Sequence, residues 1–315
     1  MRLSDEALMR SVMQAKINIG VVGAGKFGGF HLGKCLAHEQ LNCVGIFDKD
    51  SARARDLAEE KGVNVYDDLS ALFDDIEAVI IASPATTHAE IGQKALAAGL
   101  HILVEKPFAT SLEKGEAFRK MAQSSQKIVQ VGHQERYVAK AIGLDRIPER
   151  PIQITAKRLN RYSERGTDTS VTLDLMTHDI DLVNALAGGL PDVIEGESQI
   201  IRSQTPDTAR AKLEYNRYGI TANLEASRVA DDPSRILEIT YPSGLVRIDL
   251  NNKTLLNETP FDLENDFGNT KAGRDSLAEG MAAFVHAITT QTPPLIGFED
   301  GYQAMRIALK IDGET

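Results

Sequence analysis

A chain of 315 residues exceeds what one hydrophobic core usually organises, so two domains are expected. Its 42% hydrophobic and 25% charged residues are the composition of a water-soluble globular protein, and a formal net charge of -10 argues against nucleic acid or an anionic membrane as partner. Only Cys35 and Cys43 carry thiols, outside any CxxC or Cys/His cluster, which excludes a disulfide framework and a structural zinc site and fits a reducing cytoplasm.

The opening stretch "MRLSDEALMRSVMQAK" carries Asp5 and Glu6 where a signal peptide needs an apolar core, and no later apolar run is long enough to span a bilayer, so neither an export nor a membrane segment is expected. From Lys16 onward apolar runs alternate with helical stretches. "INIGVVG" (17–23), "LNCVGIF" (41–47), "AVIIAS" (78–83), "HILVEK" (101–106) and "KIVQVG" (127–132) read as buried strands, separated by helices near 27–38, 51–61, 87–99 and 111–124. Continuous apolar strands alternating with helices predict a doubly wound parallel sheet covered on both faces, in a dinucleotide-binding domain over 1–137.

Beyond that point the period changes to two. In "ITANLEASR" (220–228) Ile220, Ala222, Leu224 and Ala226 share one face, "IQITAK" (152–157) alternates likewise, and "NRYG" (216–219) and "YPSG" (241–244) supply turns. An α+β domain over 138–315 is predicted, with a mainly antiparallel open sheet whose polar face could pair subunits into a homodimer or homotetramer. Two helices close the chain: one starts at "SLAE" with Ser276 and Glu279 as a capping box, and "EDGYQAMRIALKI" (299–311) is expected to pack on the first domain.

"GVVGAGKFGGFH" sets Gly23, Gly25 and Gly28 in G-x-G-x-x-G spacing between a strand and a helix, where a tight turn, close backbone approach to a pyrophosphate and helix-on-strand packing each demand glycine. Lys26 and Phe27 lie in the same loop. Asp48, at the end of the second strand, is placed to accept hydrogen bonds from ribose hydroxyls and to repel a 2′-phosphate, which favours NAD over NADP. Ser83 and His88, after the third apolar run, could line the same crevice or simply serve the turn and helix cap.

"VEKPFAT" (104–110) puts Glu105 and Lys106 at the carboxyl end of a parallel strand, stiffened by Pro107. "TLDLMTHDIDLV" (172–183) spaces Asp174, His178 and Asp181 at i, i+4 and i+7, a polar seam on a helix. Metal binding, an N-cap role for Asp174, and proton transfer by a His178 whose protonated form a neighbouring carboxylate favours all compete for the seam. No further strong ligand is evident for a metal. Lys106 opposite His178 suits an alcohol hydroxyl that loses its proton as hydride leaves.

"GAGKFG", "EKP" and the Asp174/His178 segment, in that order and spacing, resemble the Gfo/Idh/MocA family of NAD(P)-dependent sugar and polyol oxidoreductases, over Lys16 to Ile311. The resemblance implies a Rossmann first domain, with Lys106, His178 and Asp174 as catalytic and substrate-positioning groups, Asp181 closing the motif and Glu105 on the nicotinamide side. Met176 stands where the family usually has glycine, and "ERYVA" (135–139) departs from an Arg-Phe-Asn-Pro pattern at Val138 and Ala139. "GHQERY" (132–137) with "DLMTHDID" is similar to the UDP-N-acetylglucosamine 3-dehydrogenase branch, which adds Arg136 and Tyr137 as substrate-binding candidates. The expected function is hydride transfer between a secondary hydroxyl of a sugar or nucleotide sugar and NAD. The alternatives are a dinucleotide-binding sensor or a reductase of an unsaturated or imine substrate.

Overall fold

The computed structural model describes residues 16–314, so Asp5 and Glu6 lie outside the described residues. The chain first lays down β1 (Ile17–Val22), α1 (Lys26–Ala37), β2 (Leu41–Phe47), α2 (Ser51–Lys61), a short β3 (Asn64–Val65), α3 (Leu69–Asp74), β4 (Ala78–Ile81), α4 (His88–Ala97), β5 (His101–Val104), α5 (Leu112–Ser124) and β6 (Val129–Val131). All six strands are parallel, in the order β3-β2-β1-β4-β5-β6. Every residue of β4 and β5 is buried, the mark of central strands covered on both faces. Strand order reverses between β1 and β4, and the crevice beyond their carboxyl ends is where such sheets take ligands.

Helix α6 (Glu135–Ile142) leads to β7 (Gln153–Leu159), a π-helical segment at Thr172–Met176 that runs into α7 (Thr177–Ala187), and six more strands. These are β8 (Val193–Gln199), β9 (Thr208–Tyr215), β10 (Ile220–Ser227), β11 (Ser234–Tyr241), β12 (Gly244–Asp249) and β13 (Thr254–Asn257), in the sheet order β13-β12-β11-β7-β10-β9-β8. Only the β7–β10 pair is parallel. The period-two pattern holds: Ile220, Ala222, Leu224 and Ala226 are all buried with Leu213, Ile239 and Val246. Arg158 is the exception on the inward face of β7, in line with buried Ile154 and Ala156.

The last segments are α8 (Lys271–Arg274), α9 (Ser276–Thr290) and α10 (Phe298–Ile311). The sequence sends the final helix to the first domain; the structure sends both helices there. Met281, Phe284 and Val285 of α9 share a core with Ile19, Val21, Leu32 and Ile80. Helix α10 bridges the two sheets, with Gly301 against Val131 and Ile311 against Gly196. The predicted capping box does not form: Asp275, one residue earlier, caps α9 alone by accepting from the Ala278 N–H at 3.0 Å, and Ser276 is already helical. A carboxylate there also meets the Lys34 ammonium of α1, which a serine could not do.

Candidate active site

The glycine loop joins β1 to α1 at the switch point. Gly23 has φ +109° and a Cβ on it would stand 2.5 Å from the Ala82 carbonyl; a Cβ on Gly28 would stand 1.8 Å from the Gly23 carbonyl. Both serve the turn. Gly25 differs, because a Cβ there meets nothing within 4 Å and would project into open space at the start of α1, whose N-cap has no side-chain hydrogen bond. Unsatisfied N–H groups beside an unfilled glycine cradle fit the pyrophosphate of a dinucleotide. Asp48 fixes the loop, accepting from the Ala24 N–H at 2.5 Å and the Asp50 N–H at 2.8 Å. Its carboxylate thus sits beside the loop, with the Arg53 guanidinium 4.0 Å away.

Lys26 is exposed over the Phe30 ring, and Phe27 is exposed on the wall of the cleft described below. Ser83 bonds the Thr87 hydroxyl at 2.7 Å. His88 is buried between the Pro107 and Ser83 carbonyls, at 2.8 and 2.9 Å, so it ties two loops at the strand ends and does not face the crevice. Desolvation holds its imidazole below the ordinary pKa.

A cleft of about 450 Å³ lies between the domains, lined by Glu105, Lys106, Glu135, Asp174, His178 and Arg235 among others. Lys106, reached through a cis Lys106–Pro107 bond, donates from Nζ to both the Asp174 carbonyl (2.6 Å) and Asp174 Oδ1 (2.8 Å). Asp174 is therefore not an N-cap: it lies inside the π-helical segment, and its partner is the lysine 68 residues away. Burial would raise its carboxyl, but the Lys106 charge and hydrogen bond outweigh that and hold it below the ordinary value. The same balance holds Glu105 low: burial opposes, while the His31 hydrogen bond at 2.7 Å and the charges of His31 and Lys106 prevail.

His178 departs from expectation in its protonation. Desolvation first, then the Arg158 and Lys106 charges, push its pKa well below 6.5, so it enters the cleft as a neutral imidazole. The carboxylate next to it is Glu135, with Oε2 2.7 Å from His178 Nδ1, and not Asp174. Asp181 does not share the cleft wall: it turns to Arg136, 3.5 Å away, and burial raises its carboxyl to about 7. The wider π turn breaks the regular i, i+4, i+7 stripe that the spacing implies.

Two substrate candidates are likewise placed elsewhere. Arg136 points to Asp181, Asp300 and the Leu295 carbonyl, and Tyr137 is buried beside Gly280 with its hydroxyl unpartnered. On α6 only Glu135 and Val138 face the cleft, because successive helical residues turn away by about 100°. Behind the cleft the sequence reading passed over a buried charge network. Arg158 holds Asp179 with two bonds of 2.7 and 2.8 Å and reaches Glu135 at 3.3 Å, and Arg235 also pairs with Glu135. Its sequence signal is the arginine on the apolar face of β7.

The fold agrees with that of known proteins. Residues 17–133 match the model of the oxidoreductase family with an NAD-binding Rossmann fold, and residues 145–247 match the GFO/IDH/MocA C-terminal domain. UDP-N-acetylglucosamine 3-dehydrogenase of Acidithiobacillus ferrooxidans is 32% identical over 309 residues, 93% of this chain and 95% of that protein. The chain belongs to the Gfo/Idh/MocA family. The solved structure of that Acidithiobacillus relative superposes with a TM-score of 0.85 at 30% identity, covering 95% of this chain and 98% of the other. Within the family, scyllo-inositol 2-dehydrogenase (NAD(+)) of Bacillus subtilis is 29% identical over 69% of each chain. GenD2 from gentamicin A biosynthesis, solved with NAD, shares the fold at a TM-score of 0.80 and 18% identity over 96% of this chain and 94% of that one. The chain is an NAD-dependent oxidoreductase.

Proposed function

We propose that this oxidoreductase acts on a secondary hydroxyl of a sugar or nucleotide sugar, with the 3-hydroxyl of UDP-N-acetylglucosamine as first candidate. The observation that carries the reading is the pairing, on one cleft, of a neutral His178 with the Lys106 ammonium held by Asp174. NAD, when bound at the glycine loop, supplies the hydride acceptor. As the carbinol C–H leaves as hydride, neutral His178 takes the hydroxyl proton and Lys106 stabilises the oxygen that becomes a carbonyl. Asp174 orients the ammonium, and Glu105 presents a carboxylate next to Lys106, held 2.7 Å from the His31 ring. The substrate class is supported by the names of the relatives and rests on them.

The test is single-turnover reduction of NAD by UDP-N-acetylglucosamine. Lys106→Met and His178→Asn should each slow hydride transfer by roughly 10²–10⁴ with NAD affinity retained, and the double variant should lose less than the product of the two. Unchanged rates in both would remove these residues from the mechanism and point to another base, whereas no reduction of NAD by any sugar in the wild type would favour a sensor. The uncovered face of the second sheet, carrying Lys157, Arg210, Lys212 and Glu225 around a groove, supports pairing of subunits there into a homodimer or homotetramer, which sedimentation equilibrium would measure. Two free cysteines and no helix among the described residues long and apolar enough to cross a membrane support a cytoplasmic enzyme.

A further inference from the structure

The charges around the cleft can be paired off one by one. Among the carboxylates, Asp174 is taken by Lys106, Glu105 by His31, and Glu135 by Arg158 and Arg235, while Asp179 behind them is taken by Arg158. Two cations lining the same cleft remain without a carboxylate partner among the described residues: Lys253, in the turn between β12 and β13, and Arg274, the last residue of α8. They stand together, because Lys253 Nζ donates at 2.8 Å to the carbonyl of Gly273, which precedes Arg274. Asp275, the next acid along the chain, is committed to Lys34 and to capping α9. Cations without carboxylate partners on the lining of one cleft are unexpected in a protein of net charge -10.

The backbone adds an independent observation. Lys253 has φ +54°, the left-handed region that costs a side-chain-bearing residue energy and favours glycine or asparagine. The adjacent positions, Asn251 and Asn252, would carry that conformation more cheaply, yet the lysine occupies it and its aliphatic stem packs against Gly268, where a Cβ would come within 3.1 Å. Two segments therefore converge on one cleft, whose lining carries the Lys253 ammonium and the Arg274 guanidinium together with Lys106 and His178. An ammonium beside a guanidinium fork matches phosphate oxygens, which take several charge-assisted hydrogen bonds at once.

We propose that Lys253 and Arg274 form the subsite for the phosphate or diphosphate of a nucleoside-diphosphate sugar, holding the anion at the cleft mouth while the sugar ring lies against Lys106 and His178. This inference rests on the dehydrogenase reading above and deepens it, since a neutral polyol such as inositol has no use for this pair.

The experiment titrates uridine diphosphate into NAD-loaded wild type and into Lys253→Gln, Arg274→Gln and the double variant, with Arg274→Lys as the conservative control. NAD affinity and melting temperature are measured on each. Uridine diphosphate should bind the wild type, weaken roughly tenfold or more for each residue removed, recover partly in Arg274→Lys, and lose salt dependence in the double variant. KM for UDP-N-acetylglucosamine should rise in parallel. Failure of the wild type to bind uridine diphosphate, or equal affinity in the double variant, overturns the subsite whatever the turnover results. A fall in NAD affinity matching that for the diphosphate also overturns it, by assigning the pair to the phosphates of the cofactor. Turnover of none of the sugars, with diphosphate binding intact and lost in the double variant, overturns the dehydrogenase reading and leaves the anion site standing.

Discussion

Gly23, Gly25 and Gly28 are equivalent in the motif, and only their surroundings separate them. A side chain on Gly28 would drive into the Gly23 carbonyl at 1.8 Å, backbone against backbone, whereas at Gly25 it would meet no protein atom within 4 Å. Gly28→Ala should therefore destabilise the apo protein by about 1–3 kcal/mol or more, a shift readable in its urea midpoint. Gly25→Val should leave the apo midpoint unchanged and weaken NAD by roughly 100-fold, because the branched side chain occupies the space the pyrophosphate needs. Loss of stability in Gly25→Val comparable to Gly28→Ala would make Gly25 a structural glycine. The spacing of these residues was legible in the sequence; their division of labour was not, since it depends on what the fold brings opposite each Cα. The same holds for Lys106 and Asp174, whose types are readable but whose contact spans 68 positions.

Helix α9 is capped by Asp275, not by Ser276, although "SLAE" satisfies the capping-box pattern. Asp275→Ala should cost about 1 kcal/mol through the lost cap, with more from the Lys34 contact, while Ser276→Ala should fall within a few tenths. Thermal unfolding of the two variants distinguishes them, and equal losses would restore the serine as cap. The alternation of apolar strands with helices made the first sheet readable, and the two-residue period of 220–228 made the buried face of β10 readable. Helix periodicity failed at 172–176, because a π turn widens the spiral there, between Asp174, which meets Lys106, and His178. Nor does composition reveal that α9, distant in sequence, closes the core of the first domain.

Across the whole molecule, four buried histidines have their pKa values lowered. Burial depresses the pKa of His88, burial and the Lys127 charge bring His101 down to about 4, and burial together with nearby cations depresses His133 and His178 well below the ordinary 6.5. An unfolded chain takes up protons on these rings as pH falls through about 6.5 while the folded chain resists them, so stability declines over that interval. Asp181 acts in the opposite sense: its folded value of about 7 lies above the ordinary 3.8, so between those limits the folded chain holds the extra proton and gains stability as pH falls. The lowered histidines outnumber the one raised carboxyl, so the unfolded state binds more protons and stability falls with pH between about 6 and 5. Urea midpoints measured across that range should fall steeply with acid. His133→Leu should make the slope shallower by about one proton, since this buried ring has no hydrogen-bond partner on either nitrogen and contributes through its refused proton. A flat profile from pH 7 to 5 would mean that the folded protein protonates these rings, and a protonated His178 could not serve as the base that accepts the hydroxyl proton.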